Sequence, residues 1–404
     1  KLPRGVQPII AMIGVWRAGA AFVLVEDTLA PDRINFMYKD CGCKLEITSE
    51  VWEEINHCEP LDGYEETDPH DAAFAVYTSG TTGVPKGVLQ EYGNLERCIR
   101  SFEYEGEHVA FPGARFALAA PMNFVPSIMV SYYILYTGYA KEFIISYSTV
   151  RNPVGLIKFL LSKKINVFFL TPTYAKKFKG RTGPFLKIMI VGSEPANHFY
   201  LKGVRNINMY SQTESGIVTS MFVIDKEYNV CPVGKPQIDI KHRIVDEDGN
   251  DVPEGEIGEF IFENPYVRGY INLPEETAKY FKNGYFYTSD LVQVLPDGNI
   301  AICGRKNDMI KINGNRIEPA EIEAAIQSIL KIDWCAAKGF VSEEQSFICA
   351  YYKDDITFDE DDLRAQLQKR LPYYMIPAYF MKIDSVPVKP NGKMDRNALP
   401  KPEI

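Results

Sequence analysis

The chain has 404 residues, 46% of them hydrophobic and 24% charged, with a formal net charge of −9 at pH 7. That is the make-up of a globular protein with apolar material for two or three cored domains, and it argues against a disordered chain. It also argues against nucleic acid as the main partner, because that binding needs basic patches to neutralise phosphates, so any nucleotide site here has to be locally positive.

From the N-terminus, short β-branched or aromatic runs at 74–77, 115–119, 166–170, 186–191 and 258–262 alternate with helical stretches such as 97–102 and 155–163. This alternation predicts an α/β architecture of sheets covered by helices. The first run leads into Tyr77-Thr78-Ser79-Gly80-Thr81-Thr82-Gly83-Val84-Pro85-Lys86-Gly87-Val88. Gly80, Gly83 and Gly87 let the backbone turn and bring N–H groups close to an anion. Thr78, Ser79, Thr81 and Thr82 add hydroxyl donors and Lys86 a positive charge, so the segment reads as a phosphate-handling loop for a nucleoside triphosphate. It is not a Walker loop, because glycine follows Lys86 where that motif needs Ser or Thr.

The longest apolar stretch, 124–139, is interrupted by Pro126, Ser127, Ser131, Thr137 and Gly138. It is too short and too polar for a membrane span and reads as a buried helix. Cysteines at 41, 43, 58, 98, 231, 303, 335 and 349 follow neither zinc spacing nor a compact disulfide framework, which points to reduced thiols in the cytoplasm. After Asp290 the pattern changes. Residues 305–404 hold a strand pair, a helix over Pro319–Leu330, a strand at 346–352, a helix at 361–370 and a Pro-rich tail, which places a domain boundary at 305–308.

Further motifs stand in order along the chain: Trp16-Arg17-Ala18-Gly19-Ala20-Ala21-Phe22-Val23, Asn208-Met209-Tyr210-Ser211-Gln212-Thr213-Glu214, Gly255-Glu256-Ile257-Gly258-Glu259, Tyr287-Thr288-Ser289-Asp290, Gly304-Arg305 through Arg316-Ile317-Glu318, and Pro390-Asn391-Gly392-Lys393-Met394-Asp395-Arg396. With the 77–88 loop, they resemble the adenylate-forming superfamily of acyl-CoA synthetases, luciferases and peptide-synthetase adenylation domains, over nearly the whole chain. The resemblance implies a large multi-sheet N-terminal ATP- and acid-binding domain (1–304), a hinge (305–308) and a small mobile α+β C-terminal lid domain (309–404). Members carry a further segment ahead of the Trp16–Val23 motif, so the chain is expected to be N-terminally truncated or one piece of a longer polypeptide.

The resemblance also implies ATP and Mg²⁺ as cofactors. Activating a carboxylate with ATP brings two anions together, so cations have to offset repulsion and stabilise charge on phosphorus. Lys86 and the hydroxyls and glycines of 78–83 would hold the departing phosphates. Thr213 would touch a phosphate and Glu214 would anchor Mg²⁺, a hard cation that prefers carboxylate oxygens. Asp290 would accept from the ribose hydroxyls with Arg305 beside it, and Tyr210 would lie on adenine next to Gly192. Lys393, on the lid, would reach the carboxylate and α-phosphate only on closure, which favours the transition state and keeps water from the adenylate. The lid would then rotate and present residues 310–316, with Gly314 at the thiol tunnel.

Two departures stand out. The usual hinge aspartate is Asn307, followed by Asp308. Domains that take α-amino acids carry Phe-Asp-x-Ser, whose aspartate pairs the ammonium; here the segment reads Phe124-Val125-Pro126-Ser127. The remaining specificity positions carry over to Met129, Phe169, Met189, Val191, Met209, Ile217 and Val218, none of them charged. An ammonium buried there would cost several kcal/mol, whereas an alkyl or aryl tail gains about 25 cal/mol per Å² buried. A hydrophobic carboxylic acid lacking a free α-ammonium is therefore expected, unless another acid such as Glu194 supplies the charge. Leu371-Pro372-Tyr373-Tyr374-Met375-Ile376-Pro377 and the ending Ala398-Leu399-Pro400-Lys401-Pro402 resemble peptide-synthetase domains. That makes the phosphopantetheine thiol of a carrier protein the expected acceptor, with coenzyme A second and a non-catalytic nucleotide-binding module as the alternative of another class.

Overall fold

A computed structural model describes residues 1–402 except 27–28, 61, 79–83, 105–106, 179–180, 238–239, 307–308, 313, 333, 341–345, 354–355 and 388–393, and except the side chains of 103–104, 107–108 and 397. The expected roles of Ser79, Gly80, Thr81, Thr82, Gly83, Asn307, Asp308 and Lys393 therefore lie outside the described residues.

The fold is mixed α/β. Its largest sheet has seven strands in the order Lys235–Pro236, Ser220–Ile224, Arg205–Tyr210, Ile188–Gly192, Val167–Leu170, Arg115–Leu118, Lys141–Ile144. The strands from Arg205–Tyr210 to Lys141–Ile144 pair in parallel. Val167–Leu170 and Ile188–Gly192 are buried at every position, as strands of a parallel sheet covered on both faces must be. Side chains alternate between two cores. Phe116, Val167, Phe169, Ile188, Ile190 and Ile207 pack with Val125, Ile128 and Met129 of the helix Val125–Thr137. On the other face, Ala117, Phe168, Leu170, Met189 and Val191 pack with Leu156, Leu160, Ala175 and Phe199. The 124–139 stretch is thus a largely buried helix, ended by Gly138 in the left-handed conformation at φ 67°.

A second sheet pairs His242–Val245, Ile257–Glu263, Tyr285–Val294 and Phe281–Lys282, with Ile300–Arg305 also on Tyr285–Val294. A third joins Phe22–Val23, Ala72–Thr78, Lys86–Glu91 and Val267–Tyr270.

The chain forms two compact units: Lys1–Asp27 with Cys43–Val76 and Gly87–Lys306, and Thr28–Gly42 with Tyr77–Lys86 and Asn307–Ile404. The second contains the three-stranded sheet Cys335–Phe340, Phe347–Tyr352, Tyr379–Lys382 and the helices Pro319–Leu330 and Glu360–Gln368, around Ile317, Ile322, Ile326, Ile348, Leu363 and Leu367. It also draws in two segments that the sequence reading kept in the N-terminal domain. In the helix Pro31–Asp40, Arg33 forms a buried ion pair with Glu321 at 2.5 Å, and Asp40 accepts from the Tyr77 hydroxyl at 2.7 Å. Among the described residues no helix is long and apolar enough to cross a membrane.

Candidate active site

The strand Tyr285–Val294 carries the Thr288-Ser289-Asp290 segment in a bulge. Its register against Ile257–Glu263 runs from Glu259↔Leu291 to Ile261↔Tyr287, which sets residues 288–290 opposite Phe260 alone. Such a bulge breaks the ladder and re-aims side chains. Ser289 lies at φ 59°, a left-handed conformation rare outside glycine and asparagine. The N–H groups left without a strand partner find side chains. Ser289 N–H donates to Glu259 Oε1 at 2.8 Å and Asp290 N–H to Thr288 Oγ1 at 3.0 Å, while the Thr288 hydroxyl donates to the Phe260 carbonyl at 2.7 Å.

The bulge directs Asp290 into a cluster of donors. Its Oδ1 is 2.6 Å from Arg305 Nη1, and its Oδ2 accepts from the Tyr210 hydroxyl at 2.6 Å and from Gln212 Nε2 at 2.5 Å. Asp290 is 2% exposed, and burial is affordable because an ionised carboxylate here meets a cation and two neutral donors. Both hydrogen bonds fall on Oδ2, while Oδ1 faces the Arg305 cation. Burial, and then the neighbouring Asp290 charge, push the Tyr210 phenol well above its ordinary pKa, so it stays a donor. Tyr210 and Gly192 end adjacent strands of the seven-stranded sheet, the edge where open α/β sheets bind ligands. A side chain at Gly192 would stand 2.7 Å from the Met209 carbonyl, so glycine is required by the close approach of the neighbouring strand.

After Tyr210 the chain turns through 211–217. Ser211 Oγ donates to the Ile217 carbonyl at 2.7 Å and Ser215 Oγ to the Gln212 carbonyl at 2.6 Å. A buried amide chain holds this turn from outside: Gln90 Nε2 donates to the Thr213 carbonyl at 2.8 Å, Asn94 Nδ2 to Gln90 Oε1 at 2.5 Å and Asn264 Nδ2 to Asn94 Oδ1 at 3.2 Å. Gly216, at φ 62°, has to be glycine, since a Cβ there would lie 2.1 Å from Gln90 Oε1. Thr213 is half-buried and Glu214 fully buried, with Glu214 Oε1 accepting from the Tyr270 hydroxyl at 2.9 Å. Among the described residues no group of three or more His, Cys, Asp or Glu could hold a metal. A single carboxylate fits Mg²⁺ in its usual mode, in which one or two carboxylates share the ion with nucleotide phosphates and water.

Lys86 opens the strand Lys86–Glu91 with a buried side chain, and Thr78 closes Ala72–Thr78; both belong to the second unit. Gly314, at φ 79°, lies in the turn between Ile310–Ile312 and Asn315–Ile317.

The ten expected pocket residues do not form one wall. Val125, Met129, Phe169, Met209, Ile217 and Val218 share one core cluster with Tyr210, and Phe124 and Pro126 are half-buried at the start of the adjoining helix. Met189 and Val191 are a correction: strand alternation turns them to the opposite face, and Ile188 and Ile190 stand beside Phe169 instead. Glu194, the alternative source of negative charge, accepts from the Thr173 hydroxyl at 2.7 Å. Gln212, Gln90, Tyr270 and Glu259 escaped the sequence reading, although three of them lie within or beside the quoted motifs.

Residues 2–271 match the family described as AMP-binding enzyme. Tyrocidine synthase 1 of Brevibacillus parabrevis is 30% identical over all of this chain and 40% of its own length; bacitracin synthase 1 of Bacillus licheniformis is 30% identical over all of this chain and 8% of its own. The chain thus spans less than half the length of these relatives. Among solved structures, o-succinylbenzoate CoA synthetase of Bacillus subtilis superposes with a TM-score of 0.86 at 21% identity, covering 98% of this chain and 86% of the other. The Vibrio cholerae adenylation domain in complex with glycyl-adenosine-5′-phosphate gives 0.83 at 19% identity, with the same coverages. The match over two thirds of the residues, the fold and the motifs together make this chain a member of the AMP-binding enzyme family, the adenylate-forming ligases.

Proposed function

We propose that this chain activates a hydrophobic carboxylic acid without a free α-ammonium: a fatty, aryl or α-keto acid. A carboxylate oxygen attacks the α-phosphorus of ATP, the bond to pyrophosphate breaks, and acyl-AMP forms. A thiolate then attacks the acyl carbon and AMP departs. Asp290, Arg305, Tyr210 and Gln212 would hold the nucleoside. Glu214 would share Mg²⁺ with the phosphates, and Lys86, the 78–83 segment and Lys393 would supply donors and charge to the reacting phosphates.

The observation that carries the substrate class is Val125, 3% exposed at the start of its helix, where an ammonium-binding domain has aspartate. Its cluster neighbours Met129, Phe169, Met209, Ile217 and Val218 are apolar, and an unpaired ammonium among them loses its hydration without return. Glu194 is already engaged by Thr173. The acceptor most consistent with the 371–377 segment and the Pro-rich ending is the phosphopantetheine of a carrier protein, with free coenzyme A second. The test is substrate-dependent ATP–pyrophosphate exchange over a panel of fatty, aryl and α-keto acids and their α-amino counterparts. Faster turnover of a free α-amino acid than of every deaminated analogue overturns the reading.

A further inference from the structure

We infer that Glu259 is the positioning residue of the nucleotide site, holding the 288–290 bulge in the shape that aims Asp290, and that Ser289 makes the chain depend on it. The inference rests on the nucleotide reading above. Ser289 occupies a left-handed conformation at φ 59° without being glycine, so contacts around it have to offset its cost. Both of its backbone polar groups are held by one pair of residues. Glu259 Oε1 accepts the Ser289 N–H at 2.8 Å, the Lys306 N–H donates to the Ser289 carbonyl at 2.8 Å, and the Lys306 ammonium lies 2.8 Å from Glu259 Oε2. Carboxylate, ammonium and two peptide groups thus close a ring around the strained residue.

Within that ring the carboxylate does most. It is 5% exposed, and the N–H it accepts has lost its ladder partner to the bulge, so removing it leaves a buried donor unsatisfied. The ion pair contributes less, because the Lys306 side chain is 32% exposed and screened by water. Serine released from Glu259 relaxes toward an ordinary strand conformation, and that rotation carries Asp290, the next residue, away from Tyr210, Gln212 and Arg305. Glycine in its place has no Cβ to drive the relaxation. Glu259 therefore acts on the nucleotide through Ser289 and Asp290, without a contact of its own.

The experiment uses the full chain with AMP as the probe in calorimetry, and ATP–pyrophosphate exchange for the KM and kcat of ATP. Glu259→Ala is expected to raise the AMP Kd and the ATP KM about tenfold or more, the loss of one charged hydrogen bond, with kcat and the acid KM within about threefold. Adding Ser289→Gly should recover most of the lost affinity, while Lys306→Met alone should shift the Kd less than about threefold, as suits an exposed pair. If Glu259→Ala does not fold, Glu259→Gln replaces it: it keeps an acceptor oxygen for the Ser289 N–H and loses only the pair with Lys306. Its AMP Kd should therefore shift less than about threefold, as in Lys306→Met, and a loss as large as that of Asp290→Ala overturns the positioning role. Asp290→Ala serves as the reference. Unchanged AMP binding in Asp290→Ala overturns the nucleotide reading itself. Lost binding there with wild-type binding in Glu259→Ala, or a Glu259→Ala defect that Ser289→Gly leaves untouched, overturns the positioning role.

Discussion

Replacing Asp290 by asparagine should weaken both the fold around the bulge and the binding of AMP. The carboxylate is 2% exposed and faces Arg305, whose side chain is only 14% exposed, so the amide leaves a buried guanidinium without its counter-charge. Breaking a buried pair from one side costs about 3–5 kcal/mol. The isosteric amide keeps one acceptor oxygen for Tyr210 or Gln212, which places the expected loss near the lower end, about 3 kcal/mol. A charged hydrogen bond to a sugar hydroxyl is worth about 1.5–3 kcal/mol, so AMP affinity should fall roughly ten- to a hundredfold. Urea unfolding and calorimetry with AMP read the two effects, and an alkaline absorbance titration reads a third. Tyr210 owes its raised pKa first to burial and second to Asp290, so in Asp290→Asn it should fall while staying above the ordinary tyrosine value. Wild-type unfolding and wild-type AMP affinity in this variant would refute the reasoning.

Burial pushes the Glu142 carboxyl from 4.5 up to about 7, against the opposing pull of the Ser131 hydroxyl at 3.0 Å and the Arg4 charge. Because the folded value is the higher one, its stabilising contribution is complete below about pH 4.5 and is lost as pH rises toward 7, by about 3 kcal/mol at 1.36 kcal/mol per unit. Glu142→Gln should flatten that decline in denaturant unfolding at pH 5 and pH 8, and equal slopes in both proteins would remove the cause. Lys393→Ala should lower ATP–pyrophosphate exchange about a hundredfold or more while AMP binding holds, as loss of one transition-state charge contact does; near-normal exchange would end its assignment. Val125→Asp sets an unpaired carboxylate among apolar side chains, so it should slow the native acid and admit the matching α-amino acid weakly, a reversal of preference that the same exchange assay measures.

What could be read from the sequence divides along a physical line. Tyr210, Asp290 and Arg305 stand out in the sequence by their place in separate motifs, and the structure brings the Tyr210 hydroxyl and the Arg305 guanidinium each to 2.6 Å from the Asp290 carboxylate. The helix over 124–139 was legible from its apolar run and from Gly138 at its end. Positions whose meaning depends on strand register were not. Residue identity says nothing of which face Met189 and Val191 take, whereas the pairing of Phe169 with Ile190 decides it. Neither does it show that Arg33 meets Glu321, 288 residues away, which is what draws the helix Pro31–Asp40 into the second unit. Glu259 and Ser289 combine both difficulties. Each sits in a quoted motif as an ordinary polar residue, and only the three-against-one register turns one into a strained joint and the other into its holder. A serine where the backbone favours glycine is a local rule broken, and such breaks persist where the surrounding structure overdetermines the conformation. Here the overdetermination is visible as two peptide groups and one ion pair around a single residue, immediately before the carboxylate that gathers Tyr210, Gln212 and Arg305.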